Sequence, residues 1–565
     1  MPNTTHPLLS RLTQMLPMGN AVEQVNAIID RPDADLYIQT LEPDVLYQLI
    51  KQAGWDQGVD LIPFATPEQL QTFLDFDVWR RDHFIPARLD RWLAVITQDT
   101  TDAKFKKTLR ELSPEVVAMY FKENLQVMDT DEGRIPDDAP DRAVLSPDGV
   151  YVLVYPEDDA RQALMRRLVD RLYELDRVLA WTLFEAVRWE LRSEMEEYAL
   201  HWRTSRLEEF GFVSRSEAMQ VYRPLDPLKL REKLDAGELS AVVNPRGRTT
   251  LDLPAVIAEE LDSEFLFVRM LQRIEDNDKL QAKLFEVASL SNKVMVADGI
   301  EPGEVNSGRQ VLRRMLGYLS LGLEFLSRTD EERALALLDH LAVREIFRAG
   351  FALVERLQRQ AINLERRPTL TIIEGLPYSL LSDDDAALIE SLQRQRPTFA
   401  RDTVTHELFA HQEQVDQAAL ALGRVALKQL WLFAIQKLGV TSLADLAGRE
   451  DLMCEPIDIT FDTLFATWLA HLMGSGQPSF EPLDRQALGA FLLALNERAW
   501  EKTSIEQYFS ELIDAHAIYL VGGTKQLFID WLDATLARMV DEFGRLQGSD
   551  DAIYILNVVL IKREA

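Results

Sequence analysis

The pair of histidines in His406-Glu407-Leu408-Phe409-Ala410-His411 comes nearest to a metal-hydrolase pattern. Zinc ligation from one helix needs the rings four residues apart, so that both face one side with a glutamate beside them as base. Here the spacing is five, which sets the rings about 140° apart around a helix. The signature fails, and the pair reads as two surface histidines on a helix. Asp129, Asp131 and Gly133 begin like a calcium loop. The third oxygen ligand is replaced by glycine, and no glutamate stands at the twelfth place, so the stretch reads as a polar loop. Gly522-Gly523-Thr524-Lys525 lacks the earlier glycine of a phosphate loop and reads as a helix junction. No Gly-x-Gly-x-x-Gly turn or Gly-x-Ser-x-Gly elbow occurs. These patterns call for no metal and no cofactor. His83, His201, His406, His411 and His516 stay open as members of a site assembled from distant segments with carboxylates.

The densest run of chemistry-bearing side chains is Phe73 to Trp92. It sets Asp75, Asp77, Asp82 and Asp90 among Arg80, Arg81, Arg88 and Arg91, with Trp79 and Trp92 between them. Trp and Arg are the residues that most often anchor protein interfaces. Asp77, Trp79, Arg80, Asp82, Arg88 and Trp92 are therefore candidates for a recognition face. The alternative is that both tryptophans are core and the charges pair at helix ends.

Composition narrows the partners. The chain has 565 residues, 47% apolar and 27% charged, the balance of a globular protein of about three or four packing units. Against 61 Lys and Arg stand 92 Asp and Glu, a net charge of −31. Such a field repels nucleic acid and disfavours anionic membrane surfaces. A single cysteine, Cys454, allows no intrachain disulfide and fits a reducing compartment. Residues 1–20 lack the apolar segment of a signal peptide, and uninterrupted apolar runs such as Leu430 to Ile435 fall short of a membrane span. A cytoplasmic location is expected.

The elements that must position these residues read as helices. Pro43, Pro67 and Pro114 each follow a polar residue and precede an acid, the pattern of a helix start. Leu41-Glu42-Pro43-Asp44-Val45 echoes Leu112-Ser113-Pro114-Glu115-Val116, which suggests stacked helix hairpins over residues 1–128. Residues 129–156 read as an acidic linker ending in a short strand at Val150 to Tyr155, because three prolines precede a β-branched run. A long helical region follows over 157–296, with an irregular connector at 211–254 and a hairpin near Ala241 to Val243. Leu168, Leu172, Leu175, Leu179 and Ala186 form a seam with heptad spacing. Core packing is one use of it; a homodimer through the 164–186 seam is the other. Residues 297–565 form a C-terminal helical domain in which Val311 to Phe325 is too apolar to be exposed. Asp383, Asp384 and Asp385 mark a capped helix start, and Ile553 to Ile561 is ambiguous between buried helix and strand. The expected fold is mainly α, several helical units with a few short strands.

Several stretches resemble a bacterial family known only as a domain of unknown function. They are Ala65-Thr66-Pro67-Glu68-Gln69 with Leu74 to Trp79, Glu217-Ala218-Met219 with Tyr222 to Pro227, and Leu321-Gly322-Leu323-Glu324 with Phe347-Arg348-Ala349-Gly350. The resemblance implies a cytosolic bacterial protein and brings no activity, cofactor or catalytic residue. The N-terminal Leu-x-Pro-Asp helix starts are also similar to the helical superstructures of magnesium-transporter cytoplasmic domains and flagellar motor-switch proteins. The reading that follows is a non-enzymatic interaction or scaffold protein with a protein partner. An enzyme with a site built from distant His and carboxylate residues, and a divalent-cation-responsive regulator, are the alternatives.

Overall fold

The computed structural model describes residues 20–237, 265–300, 304–366, 370–373, 376–496, 504–520, 523–544, 546, 555 and 557–563, apart from residues 81, 99, 131, 132, 138, 210 and 211. The chain is mainly α, 70% helical, with 25 helices and a few short strands among the described residues. Contacts divide it into two compact units, residues 1–350 and 351–565. The boundary falls inside one helix, Val343–Glu365.

Helix starts in the first unit follow the local sequence. Pro43, Pro67 and Pro114 each open a helix, Pro43–Ala53, Pro67–Asp77 and Pro114–Asn124. Proline suits this position because its missing N–H would have no helical partner there. Only Thr66 adds a side-chain cap, accepting from the Gln69 amide while Gln69 reaches back to the Thr66 amide. Gln69 also donates to the carbonyls of Ile38 and Leu41, tying this helix to the C-terminal end of Ala34–Thr40. One apolar core runs from Val25 to Leu207. The end of the expected linker joins it: Gln126–Asp129, Tyr151–Val154 and Ala143–Leu145 make an antiparallel three-stranded sheet with Tyr151–Val154 in the middle. Tyr151 and Leu153 belong to the core, so the Tyr151–Val154 strand serves as a packed layer.

The helical region ahead of the irregular connector is three helices, Asp159–Leu175, Arg177–Trp189 and Arg192–Glu209. Asp176 makes the first break. Its carboxylate accepts from the Leu179 amide and from Arg110, 2.5 Å away, and its backbone leaves the helical region. The break resets the helical phase. Leu168 and Leu172 are buried as the seam requires, but the second helix buries Ala180, Leu183, Phe184 and Val187, leaving Leu179 and Ala186 half-buried. The seam faces this unit's own core, so a dimer formed through it would have to dismantle that core.

Further along, Leu266–Gln272, Asn277–Asp298 and Glu331–His340 pack on Val305–Ser327. Val305–Ser327 and Val343–Glu365 touch backbone to backbone. A Cβ on Gly322 would lie 2.1 Å from the Ile346 carbonyl oxygen, and one on Gly350 would lie 1.9 Å from that of Tyr318. Only glycine permits this approach. The hairpin expected near Ala241 to Val243 lies outside the described residues.

The second unit is built on an aromatic core. Phe465 stacks on Trp531 with centroids 3.9 Å apart, and Trp431 meets Phe465 and Trp468 edge-on. Against this core lies Lys428, its Nζ 2.8 Å from both Asp385 Oδ2 and Asp462 Oδ2, while Trp531 Nε1 donates to Asp462 Oδ1. Burial pulls the Lys428 ammonium toward neutrality, and the two carboxylates overcome that and raise its pKa. Asp385 does open a capped helix, Asp383–Gln393 with Ser382 as cap, and takes this ion pair as well. Gln412–Ile435 is by length and composition apolar enough to cross a membrane, although half of its most apolar stretch is buried within the protein. Lys428 and Gln429 interrupt it, which is why counting unbroken apolar runs passed over it. Leu560 and Ile561 run extended, pairing with Leu483 and Met453.

Candidate functional site

The run from Phe73 to Trp92 folds around one carboxylate. Asp77 ends its helix, a two-residue hairpin pairs Trp79–Arg80 with His83–Phe84, and Pro86–Gln98 returns across it. Asp77 Oδ1 accepts from Tyr47 Oη at 3.1 Å and Lys51 Nζ at 2.9 Å. Its Oδ2 accepts from Trp92 Nε1 at 2.7 Å and from Arg91. Arg88 donates to the carbonyls of Asp77 and Trp79. Burial works to raise the Asp77 pKa, but the hydrogen bonds from Arg91, Trp92 and Lys51 prevail and hold it at about 2. A carboxyl so acidic stays ionised at neutral pH and has no proton to give as a general acid. Beside it is a pocket of about 210 Å³ lined by Tyr47, Lys51, Phe76, Asp77, Arg88, Arg91 and Glu304.

This arrangement corrects the expected recognition face. Trp79 and Trp92 are 1% and 0% exposed, so neither offers surface to a partner. Asp77 is buried and Arg88 half-buried, while Arg80 and Asp82 alone of the six are exposed. The alternative of core tryptophans with internal charge pairs is the one realised. Trp92 satisfies its indole N–H on Asp77 and packs against Tyr47, Phe73 and Trp55.

The candidate histidines do not gather. In the first unit His83 is exposed with Nδ1 3.7 Å from Glu196 Oε1, and exposed His201 packs on Trp202. In the second, His516 packs against Tyr519. His406 and His411 are not on a helix at all. His406–Glu407 is a strand pairing with Phe399–Ala400, and His411 is the N-cap of Gln412–Gln429. The angular argument against one-helix ligation therefore gives way to a simpler one: no helix carries both rings. Among the described residues no group of three or more His, Cys, Asp or Glu side chains is placed to hold a metal.

The surface that stands out is one that sequence patterning passed over. On Arg177–Trp189 and Arg192–Glu209, Trp181 is 41% exposed, Trp189 72%, Tyr198 63% and Trp202 52%. Val178 and Leu191 are exposed beside them in sequence. Trp181, Thr182, Glu185, Ala186, Trp189 and Glu190 line a shallow groove of about 540 Å³. Two of the rings are held in place by their indole N–H groups: Trp181 donates to Asp148 Oδ2 at 2.7 Å and Trp189 to Glu185 Oε2 at 2.9 Å. Both helices pack on Pro114–Asn124. Their core faces are Ala180, Leu183, Phe184, Val187 on one and Met195, Ala199, Leu207 on the other. Given these buried positions, 100° per residue sets Trp189 opposite its helix's core face and Trp181 and Tyr198 about 110° from theirs, whereas Trp202 lies only about 20° around from buried Met195, so its exposure carried no signal in the pattern.

A model for a family of unknown function (DUF6178) matches residues 3–561. The chain belongs to that family. A search of curated proteins and a search of solved structures each return no match. The stretches that carried the family resemblance are joints of the first unit. Asp75 is buried under Arg206, whose Nε and Nη2 lie 2.7 and 2.9 Å from its oxygens, and Arg203 donates to its carbonyl. Burial raises the Asp75 pKa against the opposing pull of Arg206. Tyr222 packs on Phe347 and donates to Asp298, Arg348 donates to the carbonyls of Arg223 and Pro224, and Gly322 and Gly350 form the close helix crossing. These family-like residues thus hold the fold together, and none of them forms part of the exposed aromatic surface.

Proposed function

We propose that this protein is a non-enzymatic interaction protein that docks a protein partner on the aromatic face of Arg177–Trp189 and Arg192–Glu209. The observation that carries the reading is the set of four large aromatic side chains held at 41% to 72% exposure on two neighbouring helices. Leaving that much apolar ring surface in water is unfavourable, and large exposed aromatics are a usual mark of a protein-binding surface. The buried ion clusters around Asp77 and Lys428 have every strong charge already paired, which suits structural roles.

The test is affinity capture from the native cell with the full chain and its Trp189→Ala/Trp202→Ala variant. A protein retained in proportion to the wild-type bait and lost with the variant supports the reading. Identical retained sets for both baits refute it. The variant's circular dichroism should match wild type, since both rings are more than half exposed.

A further inference from the structure

We propose that the Arg192–Glu209 helix receives a basic amphipathic helix of the partner, with lysine or arginine flanking its apolar residues. This rests on the reading of the aromatic face as a docking surface and goes on to name the chemistry of what docks there. Glu194, Glu197, Tyr198, His201, Trp202, Ser205 and Glu208 are all exposed. At 100° per residue they fall within a sector of about 140°, a single stripe about 21 Å long. Aromatic rings occupy its centre and carboxylates both ends.

Charge decides the sign of the partner. Every arginine of the two helices is engaged within the first unit. Arg177 lies 3.7 Å from Asp148, Arg188 bonds Glu185 and Asp129, Arg192 pairs with Glu123, Arg203 donates to the Asp75 carbonyl and Arg206 pairs with the Asp75 carboxylate. Neither helix contains a lysine. By contrast, Glu190, Glu194, Glu197 and Glu208 are exposed and make no ion pair among the described residues. The stripe therefore shows partners aromatic faces and unneutralised carboxylates. Arginine or lysine at three- and four-residue spacing meets both, pairing with the glutamates and stacking on Trp202 and Tyr198, while apolar residues between them cover the rings. The same glutamates repel nucleic acid and anionic lipid, and they oppose a second copy of this chain laid on its own stripe.

The experiment is a fluorescence-anisotropy titration of the full chain with a labelled 21-residue helical peptide of Leu, Ala and Arg, and with the same peptide carrying Glu at each Arg position. The basic peptide is expected to bind and the acidic one not. Affinity for the basic peptide should fall at least tenfold in Glu194→Lys/Glu197→Lys and in Trp202→Ala. It should stay within twofold in Asp533→Lys/Asp541→Lys, a control with the same change in net charge on an exposed face of Thr524–Phe543. Equal losses in the two charge reversals would show attraction by the overall −31 charge and overturn the proposal. So would unchanged binding in Trp202→Ala, or a dimer by sedimentation velocity that Trp202→Ala abolishes, which would make a second copy the occupant. Failure of the peptide alongside a captured partner lost in Trp189→Ala/Trp202→Ala sinks the basic-helix assignment and leaves the docking face standing; failure of both sinks both.

Discussion

Replacing Asp77 with Asn removes the charge at the centre of the first unit's ion cluster while keeping the side chain's shape. The carboxyl sits at about 2 in the folded chain against an ordinary 3.8. At 1.36 kcal/mol per pH unit, the ionised form contributes about 2 to 3 kcal/mol to folding. Because Lys51 and Arg91 are partly solvated, about 2 kcal/mol is the fairer figure. The variant loses this and turns an amide NH2 toward Lys51 or toward Arg91 and Trp92, so at pH 7 it should be less stable by about 2 to 4 kcal/mol. The folded-state value lies below the unfolded one, so the stabilisation is complete above the unfolded value and is lost as pH falls through about 2. By pH 3 roughly half of it, about 1 kcal/mol, is gone. Urea unfolding followed by tryptophan fluorescence at pH 7 and pH 3 reads both effects. A gap between wild type and variant under about 0.5 kcal/mol at pH 7, or a gap that does not narrow at pH 3, would refute the electrostatic account.

Three other outcomes are expected. Gly350→Ala places a Cβ 1.9 Å from the Tyr318 carbonyl oxygen, so the helices must separate at a cost of about 2 kcal/mol or more, seen as a lowered thermal midpoint. Gly489→Ala, where a Cβ meets nothing within 4 Å, serves as its control and should leave the midpoint unchanged or slightly higher. Lys428→Met leaves Asp385 and Asp462 without their shared cation and should lower stability by about 3 to 5 kcal/mol in urea titrations. Trp202→Ala, at an exposed site, should change stability by no more than about 0.5 kcal/mol in the same titration, whatever it does to partner binding.

Helix content was legible because periodicity and proline placement are local signals. Pro43, Pro67, Pro114 and the acids after Ser382 all open helices where the sequence put them. What could not be read was phase. A seam extended through Leu179 and Ala186 assumes an unbroken helix, but at Asp176 the carboxylate caps the next helix at the Leu179 amide and also holds Arg110, 66 residues away. The same non-local dependence hid the site. Trp79 and Trp92 stand among as many charges as Trp181 and Trp202 do, yet the first pair is sealed by Tyr47, Phe73 and Arg203 from other elements, and the second pair is left outside. His406 and His411 show a further limit: the segment between them leaves a strand for a helix cap, and no periodicity announces that.

The two acids of the Leu74 to Trp79 stretch differ in one more respect, which appears when the chain is followed as it is made. The side-chain partners of Asp77 lie 30, 26, 14 and 15 residues away, so its cluster is complete once Trp92 has been added. Asp75, two residues earlier, must wait for Arg206, 131 residues downstream. At about 5 to 20 residues per second, that is on the order of ten seconds of translation. Through that interval Asp75 has the Gln71 amide, four residues before it, and its charge is matched only when the Arg192–Glu209 helix has been made.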